Sequence, residues 1–252
     1  MPANERTLLL LLGHVNNEIN VFQKLILAAI AGSSANRVVD YVETGQAQIL
    51  LRTLIGKLHE ARVLIDQRVT GDPALMDRYA LKGQGDGAKD LRRFNRHFSR
   101  DGQLLAAIRN SVAFHSWDEH GLIESSFHSL GSDEPWHFYL AINHANSFYF
   151  ASELVVAKST FGHAAPNKYS EPKLDAAAVD QVLRATLRAA KLYTMFAIRM
   201  MAEILAKCFP AGVKGTEENI GEGPRLSKFY LPFFFDDDDM QAMGLRAMTE
   251  KP

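Results

Sequence analysis

The chain has 252 residues, 47 % hydrophobic and 23 % charged, the balance of a globular protein long enough to bury a large core. A formal net charge of −1 excludes a uniformly basic polyanion binder, so any nucleic-acid surface must be a local patch. The single cysteine, Cys208, excludes an internal disulfide framework, fits a reducing compartment, and reads as a small buried hydrophobe. The apolar run Leu8 to Leu12 soon meets His14, Asn16, Asn17 and Glu18. It is too short for a membrane span and lacks the basic flank of a signal peptide, so no membrane is expected and the protein reads as cytoplasmic.

Asn4 is placed to cap a first helix that runs to about Ala31. Leu8, Leu11, Leu12, Val15, Ile19, Phe22, Ile26 and Ala29 recur at three- and four-residue spacing along it. His14, Asn17 and Glu18 fall on its polar side and read as a solvated flank. A second helix is expected from Arg37 to Val69, striped by Val38, Tyr41, Val42, Ile49, Leu50, Leu54, Leu58, Ala61 and Ile65. Gly71-Asp72-Pro73 ends it. Joined by a short loop, the two predict an antiparallel hairpin.

The stretch up to Gly83-Gln84-Gly85-Asp86-Gly87 reads as a loop. It is not a phosphate loop, because no strand precedes it and no Gly-Lys-Ser/Thr follows. A short helix, about Ala88 to Phe98, buries Leu91, Phe94 and Phe98. The rest of its surface carries Lys89, Arg92, Arg93, Arg96, His97 and Arg100 against Asp90 and Asp101. A charged helix face is usually only solvated. Here the excess has one sign, which makes Lys89, Arg92, Arg93, Arg96 and Arg100 candidate RNA-binding residues.

A central helix is expected from Asp101 to Trp117, apolar at Leu104, Leu105, Ile108 and Val112. The aromatic and β-branched runs Trp136 to Ile142 and Ser147 to Phe150 flank Asn143-His144-Ala145-Asn146, which predicts a small β-hairpin insertion over about 136–158, with Leu154 to Ala157 adding to it. Leu174 to about Phe209 reads as a long helix, apolar over a wide arc that includes Val182, Leu183, Ala190, Tyr193, Met195, Ile198 and Ile204. That arc would pack on the first two helices or on a second subunit. The expected fold is mainly α: an up-and-down bundle of four to five helices in one domain, residues 1–210, with the β insertion after the central helix. Residues 211–252 would form a tail that docks, through Phe233-Phe234-Phe235, on the body or a partner, with Asp236 to Asp239 as a solvated cap.

The chemistry is concentrated in Arg109-Asn110-Ser111-Val112-Ala113-Phe114-His115. Histidine takes and gives protons near neutral pH. Arginine stays cationic and offers a planar fork of donors suited to phosphate oxygens. Asparagine hydrogen-bonds without titrating. The set suits cleavage of RNA by its own 2′-hydroxyl: His115 would move protons, Arg109 would stabilise charge on the phosphate, and no metal or other cofactor is required. Six helical steps separate Arg109 from His115, about 9 Å of rise and about 120° of rotation. One copy does not focus both groups on a single phosphate without long side chains or a helix end. Two copies about a two-fold axis would, so the spacing points to a homodimer with a composite site.

At these residues the chain resembles the HEPN-domain family, whose signature is an arginine, often followed by a polar residue, and then a histidine after a short spacer. Here the polar residue is Asn110, and five residues separate Arg109 from His115. The order of elements is also similar, with long antiparallel helices first and the motif at the end of a later helix. The resemblance implies an all-α dimer and, as in many members, metal-independent ribonuclease activity in a toxin–antitoxin or antiviral defence system. It implies catalytic roles for Arg109 and His115, a supporting role for Asn110, and an antitoxin or other protein as a further partner. The aromatic insertion and the Phe- and Asp-rich tail depart from the family pattern.

Other readings use the same residues. His115 at a helix C-terminus and Arg109 in a surface ion pair would be purely structural. A helical HEPN-like protein without catalysis would bind RNA, a nucleotide or a protein through the same surface. His115, Asp118, Glu119 and His120 match no standard metal-ligand spacing, and the Glu134-Pro135-Trp136-His137 sequence occurs once with a proline against helix formation. No metal site is expected.

Overall fold

A computed structural model describes residues 1–31, 36–100, 105, 108, 126–128, 138–140, 147–161 and 176–212. The chain is mainly α, as the hydrophobic periodicity requires. Helix α1 spans Ala3–Ala31 and α2 spans Arg37–Ile65. A single π-helical turn, Asp66–Thr70, carries α2 on. Helix α3 is Pro73–Arg78, α4 is Asp86–Arg100, α5 is Phe150–Phe161 and α6 is Ala176–Cys208.

Asn4 lies inside α1 rather than at its cap; its side-chain oxygen accepts from the Glu5 N–H at 3.0 Å. The capping asparagine of this region is Asn36, whose Oδ1 accepts from Val38 N–H at the start of α2. The stretch expected to be loop contains α3. Asp72 caps it by accepting from Leu75 N–H at 3.1 Å, and Pro73 occupies the first turn, where a missing N–H costs nothing.

Cross-links fix the directions of the helices. Lys57 Nζ reaches Glu18 at 3.2 Å, while Ile26 and Ala29 share a cavity with Ala47 and Asp40, so α1 and α2 run antiparallel. The Tyr193 hydroxyl donates to Leu12 O, and Cys208 Sγ–H to Glu5 Oε2, so α6 returns antiparallel to α1. Arg199 pairs with Asp90, and His97 Nε2 bonds Ala185 O, so α6 is antiparallel to α4 as well. Leu12, Ile19, Leu54, Ile55, Leu58, Phe94, Tyr193, Phe196 and Ile204 fill the space between these four helices with essentially no exposure. Burial in that core pushes the Tyr193 phenol upward from its usual range. Leu105 and Ile108 are helical and belong to the same core.

The aromatic insertion differs from its expectation. Among the described residues it holds one antiparallel bridge, in which Tyr139 and Phe148 exchange N–H···O bonds of 2.9 and 2.7 Å, and no strand. From Phe150 the chain is helical, so Leu154 to Ala157 do not extend a sheet. Tertiary packing decides this. Phe150 stacks on Tyr41 with centroids 4.9 Å apart, Ala151 and Val155 are buried, and Glu153 meets Arg52 of α2 at 2.6 Å. Gly45 of α2 makes room for the insertion, because a Cβ there would lie 2.5 Å from the Phe148 ring. Met195 and Ile198, placed in the apolar arc of the long helix from sequence, face outward; Phe196 and Met200 take the core positions.

Candidate nucleic-acid interface

Helix α4 packs on α6 through an aromatic seam and several polar ties. Phe94 meets Phe98 at 4.7 Å and Tyr193 at 6.1 Å between centroids. Asp90, almost fully buried, accepts from Arg199 Nε at 2.8 Å and lies 3.6 Å from Arg93 Nη1. The Asp90 carboxylate holds the Arg199 guanidinium above its usual pKa. His97, also buried, lies 3.0 Å from Ala185 O through Nε2; a carbonyl only accepts, so Nε2 carries the hydrogen.

Beside these ties the two helices leave a cleft of about 690 Å³, lined by Arg93, Arg96, His97, Arg188, Lys191, Leu192 and Met195. That size falls in the range of sites that enclose small ligands. Arg93 and Arg96 come from one ridge of α4. Arg188, Lys191 and Met195 recur at three- and four-residue steps on one face of α6 and are exposed. Among the described residues, four cations thus rim a cleft whose lining also includes two apolar side chains. Such a rim repels other cations and attracts a chain of phosphates.

The five basic residues singled out in α4 do different things. Arg93 and Arg96 line the cleft. Lys89 pairs with Asp86 at 3.3 Å. Arg92 Nη1 donates to Gly83 O at 2.7 Å and so ties α4 to the preceding turn. Arg100 is the last residue of α4, and its side chain is outside the described residues. Arg109, Asn110 and His115 also lie outside them. The last described residue before this motif is Ile108, buried in the core of the same bundle.

Arg188, Lys191 and Leu192 do not stand out in the sequence, where the apolar stripe of the long helix dominates, and Met195 reads there as part of that stripe. The available signal was two cations and a methionine at positions 188, 191 and 195, one helical face of mixed character. Among the described residues no group of three or more His, Cys, Asp or Glu side chains is arranged to hold a metal ion, and no helix is long and apolar enough to cross a membrane. No family model, no characterised protein and no solved structure matches the chain.

Asp90 allows a direct test of how charge is balanced here. Asp90→Asn is expected to lower stability by about 1.5–3 kcal/mol, the scale of hydrogen bonds to charged groups. It also removes the negative charge beside Arg93, so affinity for a polyanion should rise. Urea denaturation and heparin binding at one salt concentration would measure both. Unchanged stability together with weaker heparin binding contradicts the assigned role of Asp90.

Proposed function

We propose that the protein is a HEPN-like, metal-independent endoribonuclease that acts as a homodimer, with the α4–α6 cleft guiding RNA toward Arg109, Asn110 and His115. The observation that carries this reading is the cationic rim on α4 and α6, together with the place of Arg109 in the sequence, directly after the buried core residue Ile108.

In the proposed reaction the 2′-hydroxyl oxygen of one nucleotide attacks the adjacent phosphorus and the bond to the 5′-oxygen breaks. One copy of His115 accepts the 2′ proton and the other protonates the leaving 5′-oxygen. Arg109 hydrogen-bonds the equatorial phosphate oxygens as their charge grows. Asn110 orients the phosphate without titrating. The products are a 2′,3′-cyclic phosphate and a 5′-hydroxyl, and no atom or electron is left unassigned. A toxin–antitoxin or antiviral setting, a protein partner that restrains the nuclease, and a cytoplasmic location belong to the same proposal, as does a composite site on a two-fold axis.

Incubating the purified protein with a single-stranded RNA oligomer and excess chelator tests the chemistry. Cleavage to cyclic-phosphate ends is expected. Cleavage that needs an added divalent metal overturns it. The cationic cleft also supports a second reading, a non-catalytic helical protein that binds RNA, a nucleotide or a protein. Binding of intact RNA with no cleavage under any condition would assign that reading instead.

A further inference from the structure

We infer that the α4–α6 cleft takes a single strand of RNA with one base unstacked, its phosphates on the Arg93, Arg96, Arg188 and Lys191 rim and its base against Leu192 and Met195. RNA as the polymer rests on the proposed nuclease; the choice of a single strand rests on the cleft itself.

The rim has the chemistry of a phosphate track. Arg93 and Arg96 are three residues apart on α4, and Arg188 and Lys191 are three apart on α6. Side chains at that spacing sit about 5–6 Å apart at their Cβ atoms. The positive charge is therefore spread along two facing ridges. A single small anion would engage one or two of these groups, whereas a polymer of phosphates engages both ridges. Three of the four cations are arginines, whose planar forks match phosphate oxygens.

The apolar lining makes the cleft selective. Leu192 is half-buried and Met195 is exposed to solvent among the cations. Duplex RNA keeps its base faces inside its own stack and would offer these two side chains nothing. Only its outer phosphates would reach the rim. A single strand can turn a base inward, and the polarizable thioether of Met195 is well suited to a ring face. The cleft volume of about 690 Å³ admits such a unit. The ties on either side keep the shape: Asp90 to Arg199, and His97 to Ala185 O.

The test uses the full chain carrying His115→Ala, so that RNA stays intact, and reads fluorescence anisotropy with a labelled single-stranded oligomer and with a duplex of the same length. The single strand should bind more tightly. Arg188 and Lys191 are exposed, so Arg188→Ala/Lys191→Ala should fold normally. It should weaken single-strand binding at least tenfold and flatten the salt dependence by about 1.4 in log–log slope, two phosphate contacts at about 0.7 each. Met195→Ala should weaken the single strand about 2- to 10-fold, the scale of sulfur–ring contacts, and leave the duplex unchanged. Equal affinity for duplex and single strand, or an unchanged salt slope in the double variant, overturns the inference. Cleavage by otherwise wild-type protein separates the two proposals. If Arg188→Ala/Lys191→Ala cuts RNA at the normal rate and affinity, the nuclease stands and the cleft assignment falls. If the cleft variants behave as expected but wild type never cuts, the cleft stands and the nuclease falls.

Discussion

His115→Ala is expected to lower RNA cleavage by about 10²–10⁴-fold, the usual contribution of a positioned acid–base group, with RNA affinity preserved. The two readouts separate because different groups would carry them. The cations that would hold phosphates along the strand are on α4 and α6, and His115 is not one of them. Arg109→Ala should behave differently, lowering cleavage about 10²–10³-fold, as loss of a donor to a developing oxyanion does. Arg109→Lys should recover only part of that loss, because an ammonium is a point charge and lacks the planar fork. Single-turnover cleavage under chelator, run beside anisotropy, gives both numbers. Full cleavage by either alanine variant would remove the mechanism.

Phe94→Ala should cost about 3–5 kcal/mol of stability, the range for emptying a large aromatic site in a packed core. Phe94 has no exposed surface and touches both Phe98 and Tyr193, so its ring fills the seam between α4 and α6. The neighbours cannot close the gap easily. Asp90–Arg199 and His97–Ala185 O hold the two helices at a fixed spacing. Phe94→Leu should cost much less because it keeps most of the volume. Urea titrations would show the midpoint falling from wild type to Phe94→Leu and further to Phe94→Ala. A loss below about 1 kcal/mol in the alanine variant would mean that the seam is not the anchor described. Because the cleft lies between the same helices, the alanine variant should also bind single-stranded RNA less tightly.

The long helices were legible because a repeat sustained over many turns leaves one solution. Residues 176–208 and 37–65 emerge with ends close to those expected. What tertiary contact decides was not legible. Val155 and Val156 favour strand by type, yet burial of Ala151 and Val155 and the Arg52–Glu153 ion pair hold residues 150–161 as helix. Arg92, Arg93 and Arg96 look alike in sequence. One turns back to Gly83 O while the other two enter the cleft, and only the facing helix reveals the difference. The cleft itself joins residues nearly a hundred positions apart, so half of it was invisible from α4 alone. The fold class was therefore readable from pattern, as was the basic face of α4. The partner face on α6 was not.

The π-turn after α2 bears on which changes in length the chain tolerates. Gly71 N–H donates to Asp66 O across five residues, and the Thr70 hydroxyl donates to that same carbonyl at 2.9 Å. Such a turn is an ordinary helical turn with one residue added. The extra residue acts as a phase adjuster: it sets the azimuth at which the chain leaves α2, and with it the direction in which Leu75 and Tyr79 enter the core. Removing one residue from Asp66–Thr70 would restore the shorter repeat and turn everything downstream by about 100°. A one-residue deletion there would thus do more than any single substitution nearby, because it re-aims a whole element and leaves every side chain chemically intact.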